Sequence, residues 1–237
     1  MAGTIIDMHM HTVLGAYDSD LKPELLAEAA VRVGLSGVNV TEHDRLWDRH
    51  TLSRYRQEQA PLFVNNGVEV STEMGHVIAV GLPEYVAGIG RIERLRRVAD
   101  ELGCYLIAAH PFRHIFDPAY HMRKGRRPVH PVAEELARLP LFEYVDAIEA
   151  LNGANTEREN VIALRVAKLL GKPVVGGSDC HSTHGIGYYC TVFEDVIETP
   201  EAMLAALHAG RFHAGHGLAA GRLTFFTETS LLEDAAG

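Results

Sequence analysis

Apolar runs of strand length along this chain repeatedly begin or end on a histidine or a carboxylate. "TIIDMHM" (4–10) leads into His11, "GVNVTEH" (37–43) ends on His43, and "LFVNNGVEVS" (62–71) carries Glu69 near its end. "HVIAVGL" (76–82) begins on His76, "YLIAAH" (105–110) ends on His110, and "PVVGGSD" (173–179) leads into Cys180 and His181. Histidines scattered at random would not fall at strand ends this often, so the fold must bring those ends together. A parallel α/β barrel does so, because the C-terminal ends of its strands open on one rim.

The intervening segments read as helices. Over 21–34, Leu21, Leu25, Ala29 and Val33 share a face, Pro23 suits the first turn and Gly34 the C′ position. Helices are also predicted over 92–103, 156–171 and 200–210; the third opens with a capping box, Thr156 and Glu159, and closes on Gly171. With further strands at 145–151 and 188–193, this alternation predicts a mostly parallel sheet or barrel. A chain of 237 residues fits one such domain. Segment 111–131 breaks the rhythm directly after His110, and loops of that length are usually functional or mobile. The Gly- and Ala-rich stretch 211–237 receives no assignment.

Composition removes several classes. A net charge of −9 argues against general nucleic-acid binding, which needs a basic surface. A nucleotide substrate stays open, because bound divalent cations would add positive charge that the sequence count omits. Three cysteines without a CxxC fit a reducing compartment, the cytoplasm. No apolar run is long enough for a membrane span, and "MAGTIIDMHMH" does not read as a secretory leader.

In a strand, residues i, i+2 and i+4 point to one face, so Asp7, His9 and His11 share a side while Met8 and Met10 pack on the other. Two imidazoles roughly 7 Å apart along a strand can converge on one ion. "GGSDCH" repeats the device with Asp179 and His181. A single strand histidine is more often a hydrogen-bonded core or surface residue, and HxH occurs in many unrelated metal folds. HxH, EHD, Glu69, AHP and DxH in this order are far more specific. Burying so many ionisable groups without a metal would be very costly. Glu42 and Asp44 either partner ligating histidines or face solvent.

The motifs "DMHMHT", "TEHD", "AHP" and "GSDCH" resemble those of the PHP (polymerase and histidinol phosphatase) superfamily. The resemblance runs over about 5–215 and implies a single PHP domain over 1–237, with the tail from about 218 unassigned. It implies a distorted (β/α)7 barrel with a metal site at the C-terminal rim, holding three divalent ions, commonly manganese, iron or zinc. Carried over by position, His9, His11, Glu69 and Asp179 would ligate the first ion. Glu69 would bridge to a second that also takes His76 and His110. Asp18, His43 and His181 would hold the third, with Asp7 and Asp44 supporting the ligands. One departure is Ser19, where such proteins commonly have glycine.

The chemistry implied is hydrolysis of a phosphate ester by a metal-bound hydroxide. Arg113, directly after "HPF", is the best candidate to hold the phosphate, since its planar fork suits phosphate oxygens. "RKGRR" (123–127) either closes over an anionic substrate or is a solvated loop. The leading expectation is a phosphatase acting on a small phosphomonoester such as a nucleotide, sugar or amino-alcohol phosphate, with no membrane partner and no extended nucleic-acid binding. The alternatives are a nuclease-type phosphodiesterase on short oligonucleotides and a non-catalytic metal-binding module.

Overall fold

The computed structural model describes residues 3–127 and 129–225. Ten strands among them form one sheet in the order β10-β9-β8-β1-β2-β3-β4-β5-β6-β7. They are β1 (Ile5–Met10), β2 (Gly37–His43), β3 (Phe63–Thr72), β4 (Gly75–Val80), β5 (Tyr105–Ala108), β6 (Ala147–Asn152), β7 (Val174–Gly177), β8 (Tyr189–Phe193), β9 (Phe212–His216) and β10 (Thr224–Phe225).

β1 to β7 curl into a nearly closed barrel. The seam is a parallel bridge between Met10 and Cys180, with Asp179 N–H donating to His9 O at 2.7 Å and His11 N–H to Cys180 O at 3.0 Å. β1 is therefore shared: its start pairs antiparallel with β8 and its end meets the segment after β7. Gly177 lets β7 come this close, since a Cβ there would meet the Cβ of His9 at 2.6 Å.

The barrel is mostly parallel, as expected, with one reversed strand. β1, β2 and β3 run parallel, as do β5, β6 and β7, but β4 is antiparallel to both of its neighbours. Only Glu73 and Met74 separate the paired residues Thr72 and Gly75, and a connection that short can only reverse the chain. β4 therefore starts at the rim where the parallel strands end. That is why His76, at the beginning of its strand, reaches the same place as residues at the ends of theirs.

Helix α1 (Pro23–Val33) corrects the expected packing face. Pro23, Leu26, Ala27, Ala29 and Ala30 are buried, while Leu25 is 45% exposed. Leu21 is buried too, but it precedes the helix, so a 3.6-residue period counted from it falls out of phase. Helix α2 (Arg49–Glu58), capped by Asp48, was not anticipated. α3 (Ile92–Leu102) and α7 (Pro200–His208) match expectation. α4 (Pro118–Arg123) interrupts the excursion after β5, and α5 (Ala133–Leu136) follows it. α6 (Glu157–Leu170) keeps its capping box, and Gly171 takes the left-handed cap. β9 and β10 lie in the stretch left unassigned; residues 226–237 of the tail lie outside the described residues.

Candidate metal centre

The rim gathers all nine side chains singled out as ligands. His9 and His11 are fully buried, with their Nε2 atoms 3.0 Å apart. Asp179 Oδ1 lies 3.5 Å from His9 Nε2 and 3.3 Å from His11 Nε2. Glu69 is the hub. Its Oε1 is 2.8 Å from His76 Nδ1 and 2.9 Å from His110 Nε2, and its Oε2 is 2.8 Å from His43 Nδ1. Asp18 Oδ1 stands 3.5 Å from both His43 Nε2 and His181 Nε2. The His11 ring lies between those of His43 and His181, with centroids 4.2 and 4.5 Å away.

Charge balance in the cluster follows from burial and neighbours. Burial pulls the His9 pKa down, but Asp179, Glu149 and Glu69 outweigh it and hold the ring well above the ordinary histidine value. Burial brings His11 down to about 4, so only one of the two facing rings carries a second proton. Burial works against ionisation of Glu69 and Asp179, yet the His9 charge and the surrounding donors hold both carboxyls well below their usual range.

The donor set fits divalent metal ions. Among the described residues, four groups have atoms close enough to share one ion: His9–His11–Asp179, Glu69–His76–His110, His11–His43–His181 and His9–His110–Glu149. His11 Nδ1 is buried without a hydrogen-bond partner among the described residues, an unsatisfied polar atom that a metal site would account for. His110, Asp179 and Asp44 have positive φ angles of 28°, 51° and 51°. Such backbone costs on the order of 1–3 kcal/mol per residue and clusters at functional sites.

The other expected residues have definite places. Arg113 reaches the cluster: it donates to Asp179 and, at 2.8 Å, to Asn152 Oδ1. Asp7 is held by backbone groups rather than by a ligand side chain. Its carboxylate accepts backbone N–H groups of His9, Ser178 and Gly187, pinning the HxH strand to the DxH segment. Burial pushes its pKa up to about 6. Asp44 accepts from Ser71 N–H and the Tyr85 hydroxyl rather than from a histidine. Glu42 is fully buried and accepts from the Thr12 hydroxyl and from Trp47 Nε1. Ser19, the departure from glycine, places its hydroxyl 2.9 Å from His11 O and 3.1 Å from His181 O, joining the two ligand segments. Arg123, Lys124, Arg126 and Arg127 are exposed.

Two residues escaped the sequence reading, Glu149 and Asn152 on β6. Glu149 is fully buried with an oxygen 2.9 Å from His9 Nδ1. Its signal was present: a single carboxylate in the otherwise apolar run "AIEAL".

A family model described as PHP-associated matches residues 157–212, from α6 to the start of β9. No curated protein sequence matches the chain. Solved structures that share the fold include the following three. PsfC from Pseudomonas syringae PB-5123 has 20% identity and a TM-score of 0.59, covering 86% of this chain and 89% of its own. A Bifidobacterium adolescentis protein assigned as a metal-dependent phosphoesterase has 16% identity and a TM-score of 0.54, covering 85% and 96%. An amidohydrolase from Chromobacterium violaceum, solved with sulfate and without metal, has 17% identity and a TM-score of 0.54, covering 85% and 96%.

Proposed function

We propose that the chain is a PHP-type protein, that its rim cluster is a trinuclear metal centre and that the protein is a metal-dependent phosphoesterase; the PHP-associated match over residues 157–212 supports the first step. His9, His11, Glu69 and Asp179 would hold one ion, Glu69, His76 and His110 a second, and Asp18, His43 and His181 a third. Mixed imidazole and carboxylate sets of this kind suit manganese, iron or zinc. Bound divalent ions supply Lewis acidity toward a phosphoryl oxygen and acidify water.

The remaining work falls to the chain itself. The floor of the site, His9, His11, Glu69 and Asp179, is buried and fixed before substrate arrives. His76 and Asp18 have side chains 41% and 44% exposed, so substrate enters from their side. Arg113 binds a terminal phosphoryl oxygen, oriented by Asn152 and by Asn155, whose Oδ1 lies 3.4 Å from its Nε. The convergence of nine nitrogen and oxygen donors on one rim, with an arginine fork beside Asp179, carries this reading. We assign a small phosphomonoester as substrate: a nucleotide, sugar or amino-alcohol phosphate. A cytoplasmic setting agrees with three free, buried cysteines.

The exposed basic segment at 123–127 favours one rival, a phosphodiesterase acting on short oligonucleotides. Manganese-reconstituted protein, offered a panel of phosphomonoesters beside short oligonucleotides, separates them. Release of inorganic phosphate from monoesters alone is expected. Shortened oligonucleotides would move the assignment to the rival, and no turnover in metal-loaded protein would leave a non-catalytic metal module.

A further inference from the structure

Glu149 sits behind the site rather than in its mouth. Its carboxylate is fully buried, and each contact comes from an element of the rim. His9 Nδ1 lies 2.9 Å from Oε1 and 3.1 Å from Oε2. The backbone N–H of His110 donates to Oε2 at 2.9 Å, and Asn152 Nδ2 donates to the same oxygen at 2.9 Å. Asn152 then reaches forward: its Oδ1 accepts from Arg113 at 2.8 Å, and its Nδ2 lies 3.3 Å from Asp179 Oδ2. Gly177 closes the pocket, since a Cβ there would meet Glu149 Oε1 at 2.8 Å.

An ionised carboxylate can only accept. The hydrogen of a neutral His9 ring is therefore on Nδ1, and the lone pair on Nε2 points at Glu69, Asp179 and His11. We propose that Glu149 is the positioning carboxylate of this centre. It fixes the tautomer and plane of His9, holds the strained turn at His110, and through Asn152 ties the metal floor to the arginine that meets the phosphate. The inference rests on the metal reading above. A carboxylate behind a ligating imidazole raises the ring's basicity, and its removal typically costs about 10–100-fold in metal affinity.

Cobalt(II) titration of metal-stripped wild type and E149Q, followed by visible absorption, tests this, with exposed Glu134→Gln as the control. E149Q keeps the size and one acceptor oxygen but loses the charge and the second acceptor. The variant is expected to bind the ion held by His9 about 10–100-fold more weakly while ions on His43 and His181 keep their affinity. Superimposable isotherms overturn the proposal, as does equal weakening at every ion together with a lower Tm in the metal-free protein. Wild type that takes up no cobalt sinks the metal reading itself, which distinguishes that failure from this one. A second measurement needs no variant. In zinc-loaded wild type, the ring 15N signals of His9 should report hydrogen on Nδ1 and metal on Nε2; hydrogen on Nε2 contradicts the assignment.

Discussion

The floor and the outer edge of the rim use the same residue types under opposite conditions. On the floor, the side chains of His9, His11, Glu69 and Asp179 are at most 2% exposed, and their partners lock them. On the edge, Asp18, His76, His181 and His43 are 44%, 41%, 29% and 22% exposed. Buried groups cannot relax into water, so the floor pays for its geometry at folding and would hold ions tightly. The edge has solvent as an alternative partner, so ions held there would exchange more readily and its ligands could yield to substrate.

The largest expected contrast is between floor and edge variants. Replacing His9 and His11 with alanine should abolish hydrolysis and release metal, measured by elemental analysis after dialysis; full metal retention would remove both from the ligand set. Arg113→Ala should come next, lowering kcat/KM for phosphate esters more than tenfold, on the order of 1.4 kcal/mol or above, with metal content unchanged. An unaltered kcat/KM would take Arg113 out of the site. Asp18→Ala should have the smallest effect on total metal content, loosening only the ion shared with His43 and His181 and leaving the ions on the floor in place. A loss as large as that of the floor variants would erase the distinction drawn between the two regions.

Acidity sharpens the same comparison. In metal-stripped protein, Glu69 and Asp179 contribute stability above the ordinary carboxylate range, lost as pH falls through their depressed pKa values. His9 contributes stability that is complete below its ordinary value and lost as pH rises through its elevated one. Between about pH 4 and 6.5, Asp7 and His11 oppose each other, the raised carboxyl losing stability as pH rises and the lowered imidazole gaining it, so the stripped protein should decline in stability above about pH 6.5 as His9 gives up its proton. Metal loading should reverse the slope above that window, because ions displace protons from the ligands. Thermal melts of both forms at several pH values check this, and parallel slopes would contradict it.

Much of the site was legible because strand alternation converts spacing directly into facing. His9 and His11, and Asp179 with His181, needed only that rule. Direction was harder to read. Alternating strands and helices suggested a mostly parallel barrel without saying which strand departs, and only the two residues between Thr72 and Gly75 disclose that β4 turns back. Glu149 was missed because one polar residue in a strand ordinarily faces solvent. Here β6 is buried along both faces, which becomes visible only once α6 covers one side and the barrel closes on the other. The α1 face was misjudged by counting a helical period from Leu21, which lies before the helix.

Anomalous diffraction from crystals grown with manganese tests the central claim most directly. The account predicts ions at the rim alone, one among His9, His11, Glu69 and Asp179, one against Glu69, His76 and His110, and one among Asp18, His43 and His181. An empty rim in crystals that hold manganese elsewhere, or ions bound by other residues, would contradict it.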